Sequence, residues 1–124
     1  MRRVLRIVLV LFYLFAGSYH FINPSFYLDL IPDYLPFRPL INRASGLLEV
    51  LLAVGVAMPK TRLLAVKGLI VLLVLFIPSH VYFIQVGSCV ERAFCVSPWI
   101  AWVRLLIIHP VLMLWAWYVR TVES

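Results

Sequence analysis

The chain has 124 residues, of which 65% are hydrophobic and only 13% are charged. Water-soluble domains carry about 45–50% apolar and about 25% charged residues, so this composition, with a mean hydropathy of +1.04, excludes a water-soluble domain. It also excludes a disordered chain, which needs low hydrophobicity and high net charge. The net charge of +6 comes from 11 basic residues scattered through apolar sequence, so we expect membrane lipids and no nucleic acid as partners.

Four apolar runs predict four membrane-spanning helices, at about 4–22, 41–58, 62–86 and 99–119. Two stretches, 7–28 and 68–90, contain no charged residue and exceed the ~20 residues that cross a bilayer core. The second predicted helix has Arg43 at its edge and Glu49 inside it, and the fourth contains Arg104. We therefore predict an all-α fold, a four-helix membrane bundle formed by a single domain over residues 1–124.

The connections between these helices differ in kind. Pro59, Lys60 and Thr61 form a tight turn between the second and third helices, which makes those helices antiparallel neighbours. The connection between the first and second helices contains four prolines, which exclude a long helix. It is nevertheless rich in aromatic and aliphatic residues that favour the membrane interface, so we predict that it folds as an interfacial lid over the outer end of the bundle.

The basic residues predict the orientation of the bundle. If four helices alternate, one side collects most of the lysines and arginines that flank the helix ends, namely Arg2, Arg3, Arg6, Lys60, Arg62, Lys67 and Arg120. Lysine and arginine accumulate on the cytoplasmic side. We therefore expect a multi-pass protein of the cell (inner) membrane with both termini in the cytoplasm.

The only two cysteines, Cys89 and Cys95, lie in the connection before the fourth helix, on the predicted outer side. Disulfides persist on that side of the membrane, and the spacing is not the C-x-x-C of a thioredoxin-like pair. We predict a structural disulfide, with a redox-active pair as the alternative. Two cysteines without suitably placed partners do not favour a metal site.

Ionisable residues inside a membrane are costly unless they are paired or functional. At ~1.5 Å per residue, Glu49, Arg104, His80 and His20 all lie within about 12 Å of the outer helix ends. The small and polar stripes that carry Glu49 and His20 are typical of helix faces that contact other helices. These four residues are the candidate ligand-binding set.

Two interpretations of this set stay open. A buried ion pair between Glu49 and Arg104 would hold the second and fourth helices together without any ligand, with His20 and His80 as hydrogen-bond partners. Alternatively, the same side chains bind a small molecule. No histidine spacing on one helix supports a haem, and no residue is assigned a catalytic role.

Two prolines predict local breaks in the helices. Pro78 frees the Val74 carbonyl, so we expect a bend just below His80, and Pro110 likewise frees the Leu106 carbonyl. His109, beside Pro110, is interpreted as a partner for such freed backbone carbonyls.

Six short motifs, in order, resemble those of DoxX-like membrane proteins. They are Gly17–Pro24 (G-x-x-H-F-x-x-P), Ile31–Pro36 (I-P-x-x-L-P), Ser45–Glu49 (S-G-x-x-E), Pro59–Arg62 (P-x-T-R), Pro78–His80 (P-x-N in many members) and Arg104–Leu105 (the start of R-L-P-x-Q). His80 replaces the usual Asn, Leu106 the Pro and Ile108 the Gln, so a ligand contact made by that Asn would here be made by His80.

The resemblance implies a four-helix membrane bundle and two classes of function. The family takes its name from a small subunit of a thiosulfate:quinone oxidoreductase, which implies a redox accessory subunit that binds a quinone or similar apolar molecule through His20, Glu49 and His80, with Arg104 orienting Glu49. A related eukaryotic branch assembles receptors, which implies a non-enzymatic scaffold or chaperone. Either role is compatible with a homo-oligomer or a larger membrane complex.

Overall fold

A computed structural model describes residues 1–90 and 95–121, and every regular element in that part of the chain is a helix. The helices are α1 (Arg2–Ile22), α2 (Pro24–Leu28), α3 (Arg38–Ala57), α4 (Arg62–Leu75), α5 (Ile77–Gln85), α6 (Pro98–Val103) and α7 (His109–Tyr118), with a π-helical turn at Arg104–Ile108 between the last two. Together they form four spans that are long and apolar enough to cross a membrane: Arg2–Ile22, Arg38–Ala57, Arg62–Gln85 and Pro98–Tyr118. The predicted all-α, four-helix membrane bundle is confirmed, and the chain is a multi-pass membrane protein.

The third and fourth spans are interrupted where prolines remove backbone donors. α4 ends at Leu75 and α5 begins at Ile77, because Pro78 has no N–H to donate to the preceding turn. This is the predicted bend. In the fourth span the N–H of His109 reaches back to the Arg104 carbonyl, five residues away, which is the π-helical pattern common at functional sites.

Two buried arginines close one end of the bundle, which we call the arginine end. Arg6 and Arg62 are only 7% and 5% exposed. Arg6 Nε donates to the Val119 carbonyl at 3.2 Å, and Arg62 Nε donates to the Val56 carbonyl at 2.8 Å. Both guanidinium groups also donate to the Thr121 carbonyl, at 2.9 and 3.3 Å. These bonds join α1, the end of α3, the start of α4 and the chain just after α7. The Val56 and Val119 carbonyls lie at helix ends, where no N–H of the same helix is available to them.

The opposite half of the bundle is split. No Cα atom of α1 lies within 8 Å of a Cα atom of α6 or of the π-helical turn, and the same holds between α3 and α5. α1 packs on α3, and α5 packs on α6. This half therefore consists of two separate helix pairs, α1–α3 and α5–α6, with a cleft between them.

The predicted lid lies across this split half, at what we call the lid end. After α2, the chain runs irregularly to Phe37. The ring of Tyr27 stacks on His20 of α1, with ring centres 3.6 Å apart. On the other side the Leu30 carbonyl accepts a hydrogen bond of 2.6 Å from Ser79 Oγ of α5, and the Leu30 side chain packs with Phe83. The lid thus bridges the two helix pairs.

A disulfide joins Cys89 and Cys95 in the connection between α5 and α6, as predicted. The two residues also form a β-bridge, and the Val96 N–H donates to the Ser88 carbonyl at 3.0 Å.

Two glycines allow α1 and α3 to approach at backbone distance. A Cβ atom placed on Gly17 would lie 2.8 Å from the Gly46 carbonyl oxygen, and one on Gly46 would lie 2.6 Å from His20 Cβ. Small residues at such positions are how membrane helices pack closely. Any larger side chain here must push α1 and α3 apart.

We predict that Gly46→Ala lowers the stability of the bundle in detergent by about 1–3 kcal/mol, as overpacking does. Gly68→Ala is the matched control, because its new Cβ would meet only the flexible end of Leu52, at 2.7 Å. Thermal unfolding of both variants measures the difference. Equal losses would show that the α1–α3 contact is not close-packed.

Candidate functional site

A cavity of about 450 Å³ lies between the two helix pairs, beneath the lid. Its volume falls in the range of small-molecule sites, about 300–1,000 Å³. Most of its walls are apolar or aromatic, and the predicted residues His20, Glu49, His80 and Arg104 all line it. The structure therefore brings the four candidate residues together at one cavity.

His20 is held by Asn42 through two contacts. Asn42 Nδ2 donates to the His20 carbonyl at 3.0 Å, and Asn42 Oδ1 lies 2.7 Å from His20 Nδ1. Because the amide nitrogen is already the donor of the first bond, the amide oxygen must be the acceptor of the second. His20 Nδ1 therefore carries a proton and donates it to Asn42.

The other ring nitrogen of His20 faces Glu49. His20 Nε2 lies 3.2 Å from Glu49 Oε2, and both side chains are 6% exposed. The distance is that of an ion pair, but Oε2 is not aligned as a hydrogen-bond acceptor of the ring. With Nδ1 protonated, this contact must also hold a proton, because a bare nitrogen lone pair facing a bare carboxylate would be repulsive. The pair is thus an imidazolium with a carboxylate, or an imidazole with a carboxylic acid, and is neutral overall in both forms.

The expected ion pair between Glu49 and Arg104 is not formed in the described part of the chain: Glu49 pairs with His20. The reason lies in the split of the bundle. Glu49 is on the face of α3 that packs on α1, whereas the Arg104 guanidinium carbon lies 5.2 Å from the centre of the Phe83 ring on α5. Each charged side chain is therefore held within its own helix pair, although both line the same cavity.

His80 and His109 occupy the α5–α7 side of the site. Their rings meet edge to face with centres 4.6 Å apart. His109 Nε2 contacts the Leu73 carbonyl at 2.5 Å, just before the break at Phe76. The freed carbonyls that the prolines predict are those of Val74 and Leu106, and the Leu73 carbonyl also accepts from the Phe76 N–H, so the predicted role of His109 is not confirmed. His80 is half-buried and lines the cavity.

Three site residues, Tyr13, Tyr27 and Asn42, were not in the predicted set. Tyr27 stacks on His20 and its hydroxyl donates to the Ala16 carbonyl at 3.3 Å. Burial, reinforced by the charge of Glu49, raises the pKa of Tyr27 to about 12, so the hydroxyl keeps its proton at physiological pH. Asn42 and Tyr13 could have been found from their positions on the same helical stripes as Glu49 and His20.

Two residues that line the cavity each carry a buried oxygen atom without a hydrogen-bond partner among the described residues. These atoms are the hydroxyl of Tyr13, a residue that is 3% exposed, and Oε2 of Glu49, which is 5% exposed. Buried polar groups in native proteins are nearly always satisfied, and each exception needs an explanation. In the same part of the chain, no group of three or more His, Cys, Asp and Glu side chains is placed to hold a metal ion.

Comparison with known proteins gives a family for this chain. A family model described as a domain of unknown function, DUF8561, matches residues 9–120. The chain belongs to this family. The matched range includes every residue of the cavity named above. No curated protein and no solved structure matches the chain.

We predict that His20 and Glu49 are energetically coupled. In a cycle of His20→Gln, Glu49→Gln and the double variant, the two losses of unfolding free energy should be non-additive by about 0.5–3 kcal/mol, because each single change leaves one buried group without its partner.

The control is a second cycle that combines Glu49→Gln with Arg104→Met, which should be additive within about 0.5 kcal/mol. Chemical unfolding in detergent measures both cycles. Coupling in the second cycle and additivity in the first would show that Glu49 pairs with Arg104 and not with His20.

Proposed function

We propose that the protein binds a small apolar molecule of the quinone class in this cavity, and that it serves as an accessory subunit of a membrane redox system. The observation that carries the proposal is an apolar cavity with a few convergent polar groups, which is the usual form of a small-molecule site. Its polar lining includes His20 and Glu49 on one side and His80 and Arg104 on the other. The six motifs shared with DoxX-like proteins add support for quinone and for an accessory role.

The walls of the cavity support entry from the lipid. Phe12, Leu75 and Ile108 line it and are also 43%, 65% and 49% exposed on the bundle surface. Such large apolar side chains face acyl chains in a membrane-spanning bundle. The cleft between the helix pairs therefore offers a sideways path, while Ile31 and Leu35 of the lid line the end of the cavity. A lipid-soluble ligand suits this path better than a water-soluble one.

A scaffold or assembly chaperone is the alternative function. One observation favours it: both ring nitrogens of His20 already contact side chains of its own chain, Asn42 and Glu49. In that case the polar cluster holds α1 on α3, and a client protein or a second copy of the chain, rather than a small molecule, is the partner.

The orientation of the bundle in the membrane is also part of the proposed function. We place the arginine end in the cytoplasm and the lid end on the outer side of the cell (inner) membrane, because lysine and arginine accumulate on the cytoplasmic side. The cavity then opens into the outer leaflet, and the disulfide lies in an oxidising compartment.

Reporter fusions test the orientation. A reporter after Lys60, in the turn before α4, should read cytoplasmic, and a reporter after Gly87, beyond α5, should read external. The opposite pair of readings would invert the bundle and place the cavity in the inner leaflet.

Gentle purification from native membranes, followed by mass spectrometry of bound small molecules and proteins, tests the function. We predict a bound quinone-class molecule at close to one per chain. Ser45→Phe should remove it, because Ser45 lines the cavity and the new ring would fill it. Ala44→Phe is the matched control, since Ala44 is exposed and does not line the cavity. A stoichiometric client protein without any bound small molecule would instead favour the scaffold.

A further inference from the structure

We propose that a second pocket, at the arginine end of the bundle, binds an anionic phospholipid from the leaflet at that end. The arginines of the pocket hold the phosphate head group, and exposed apolar side chains of α1 contact an acyl chain. The proposal depends neither on the ligand of the larger cavity nor on which side of the membrane the arginine end lies.

The pocket has a volume of about 310 Å³ and lies where the start of α1, the end of α3 and the start of α4 meet. Arg3, Arg6 and Arg62 line it, and its other walls are apolar. Among the described residues, no acidic side chain lines it. Basic pockets between membrane-spanning helices are typical sites for the head groups of anionic lipids.

Two of the three arginines are held in place by the fold. Arg6 and Arg62 are buried, and both donate hydrogen bonds to backbone carbonyls of α3 or of the chain just after α7. Carbonyl groups are neutral, so these bonds fix the guanidinium groups without cancelling their positive charge. Because the two side chains are already ordered, little conformational entropy is lost when an anion binds beside them.

Arg3 is the exposed arginine of the pocket. It lies at the first turn of α1, where the span begins and the head groups of the bilayer lie. The planar guanidinium group of arginine matches the geometry of phosphate oxygens and can donate two parallel hydrogen bonds to them. Arg3 is therefore placed to contact a phosphate from the membrane surface.

The pocket changes from charged to apolar along α1, as a phospholipid changes from its head group to its acyl chains. Arg3, Ile7 and Leu11 are spaced four residues apart and share one face of the helix. Leu11 lies about 12 Å from Arg3 along the axis, at ~1.5 Å per residue. Ile7 and Leu11 line the pocket and are 50% and 60% exposed. A lipid bound through its phosphate therefore has an apolar surface for its acyl chain.

The charge of the arginine end favours a lipid with a net negative charge. Seven basic residues flank this end, whereas only Glu123, of the five acidic residues, follows a span there. Glu123 lies outside the described residues. A zwitterionic lipid brings a positive group of its own towards three arginines, so it binds more weakly than an anionic lipid.

Lipid binding to the purified full chain in a non-ionic detergent tests the proposal. The probes are phosphatidylglycerol and phosphatidylcholine with the same short acyl chains, and inorganic phosphate. Displacement of a fluorescent phosphatidylglycerol gives the dissociation constants. We expect one phosphatidylglycerol per chain, bound at least about tenfold more tightly than phosphatidylcholine, because several basic side chains contribute. Inorganic phosphate should compete poorly, because it has no acyl chain.

Two variants at exposed positions ask whether this pocket is the site. Arg3→Gln should weaken phosphatidylglycerol binding about fivefold, whereas Lys60→Gln, which removes the same charge outside the pocket, should have little effect. Ala57→Phe should abolish binding because the new ring fills the pocket. Val54→Phe is its matched control, since Val54 is 45% exposed on the same helix and does not line the pocket.

Four outcomes would overturn the proposal. The first is equal binding of the two lipids, and the second is equally effective competition by inorganic phosphate, which would make this a site for free anions. The third is tight phosphatidylglycerol binding that survives in both Arg3→Gln and Ala57→Phe, or that is lost in Ser45→Phe, since the lipid would then occupy another site. The fourth is binding that occurs in Glu123→Gln but not in the parent, because the acidic tail of the chain would then occupy the pocket.

Discussion

The close contact of α1 with α3 at Gly17 and Gly46 is the constraint on which the rest of the site depends. Because neither glycine has a side chain, His20 of α1 comes within reach of Asn42 and Glu49 of α3. Both ring nitrogens of His20 therefore have fixed neighbours. Nδ1 donates to the Asn42 amide oxygen, and Nε2 faces the Glu49 carboxylate. A cluster that would be costly in lipid is satisfied within one helix pair.

The two ends of the bundle are stabilised in different ways, and this difference creates the cavity. At the arginine end, Arg6 of α1 and Arg62 of α4 donate to backbone carbonyls at the end of α3 and just after α7, which ties all four spans together. At the lid end, no comparable bonds between the α1–α3 and α5–α6 pairs are present in the described residues except those made through the lid. The break at Phe76 and the π-helical turn both lie on the α5–α6 side, where they turn His80 and Arg104 towards the cavity.

Much of this architecture could be predicted from the sequence because the membrane imposes strong local rules. The lengths of the apolar runs determine the spans, the prolines determine the bend at Phe76 and the extent of the lid, and two cysteines in one short connection leave a single pairing. The partner of Glu49 could not be predicted in the same way. Sequence position gives the depth of a residue along its helix. By depth alone, Arg104 and His20 are equally good partners for Glu49. The choice depends on which helix faces Glu49, and this is settled by the backbone contact at Gly17 and Gly46.

The roles of Arg6 and Arg62 are a second feature that could not be predicted from the sequence. In the sequence they are signals of membrane orientation, whereas in the structure they are buried hydrogen-bond donors at the arginine end. Tyr13 shows a third, because its position on the stripe of His20 does not reveal that its buried hydroxyl lacks a hydrogen-bond partner in the described chain. These roles arise from contacts between residues that are distant in the chain.

His20 is held between Asn42 and Glu49, with its Nδ1 proton donated to Asn42. Nitrogen NMR of the protein with ¹⁵N-labelled histidine in lipid bilayers tests this arrangement directly. We expect a proton on Nδ1 of His20, and an Nε2 resonance that moves in Glu49→Gln but not in Arg104→Met. An Nδ1 without a proton, or an Nε2 resonance that responds to Arg104→Met and ignores Glu49→Gln, would contradict it.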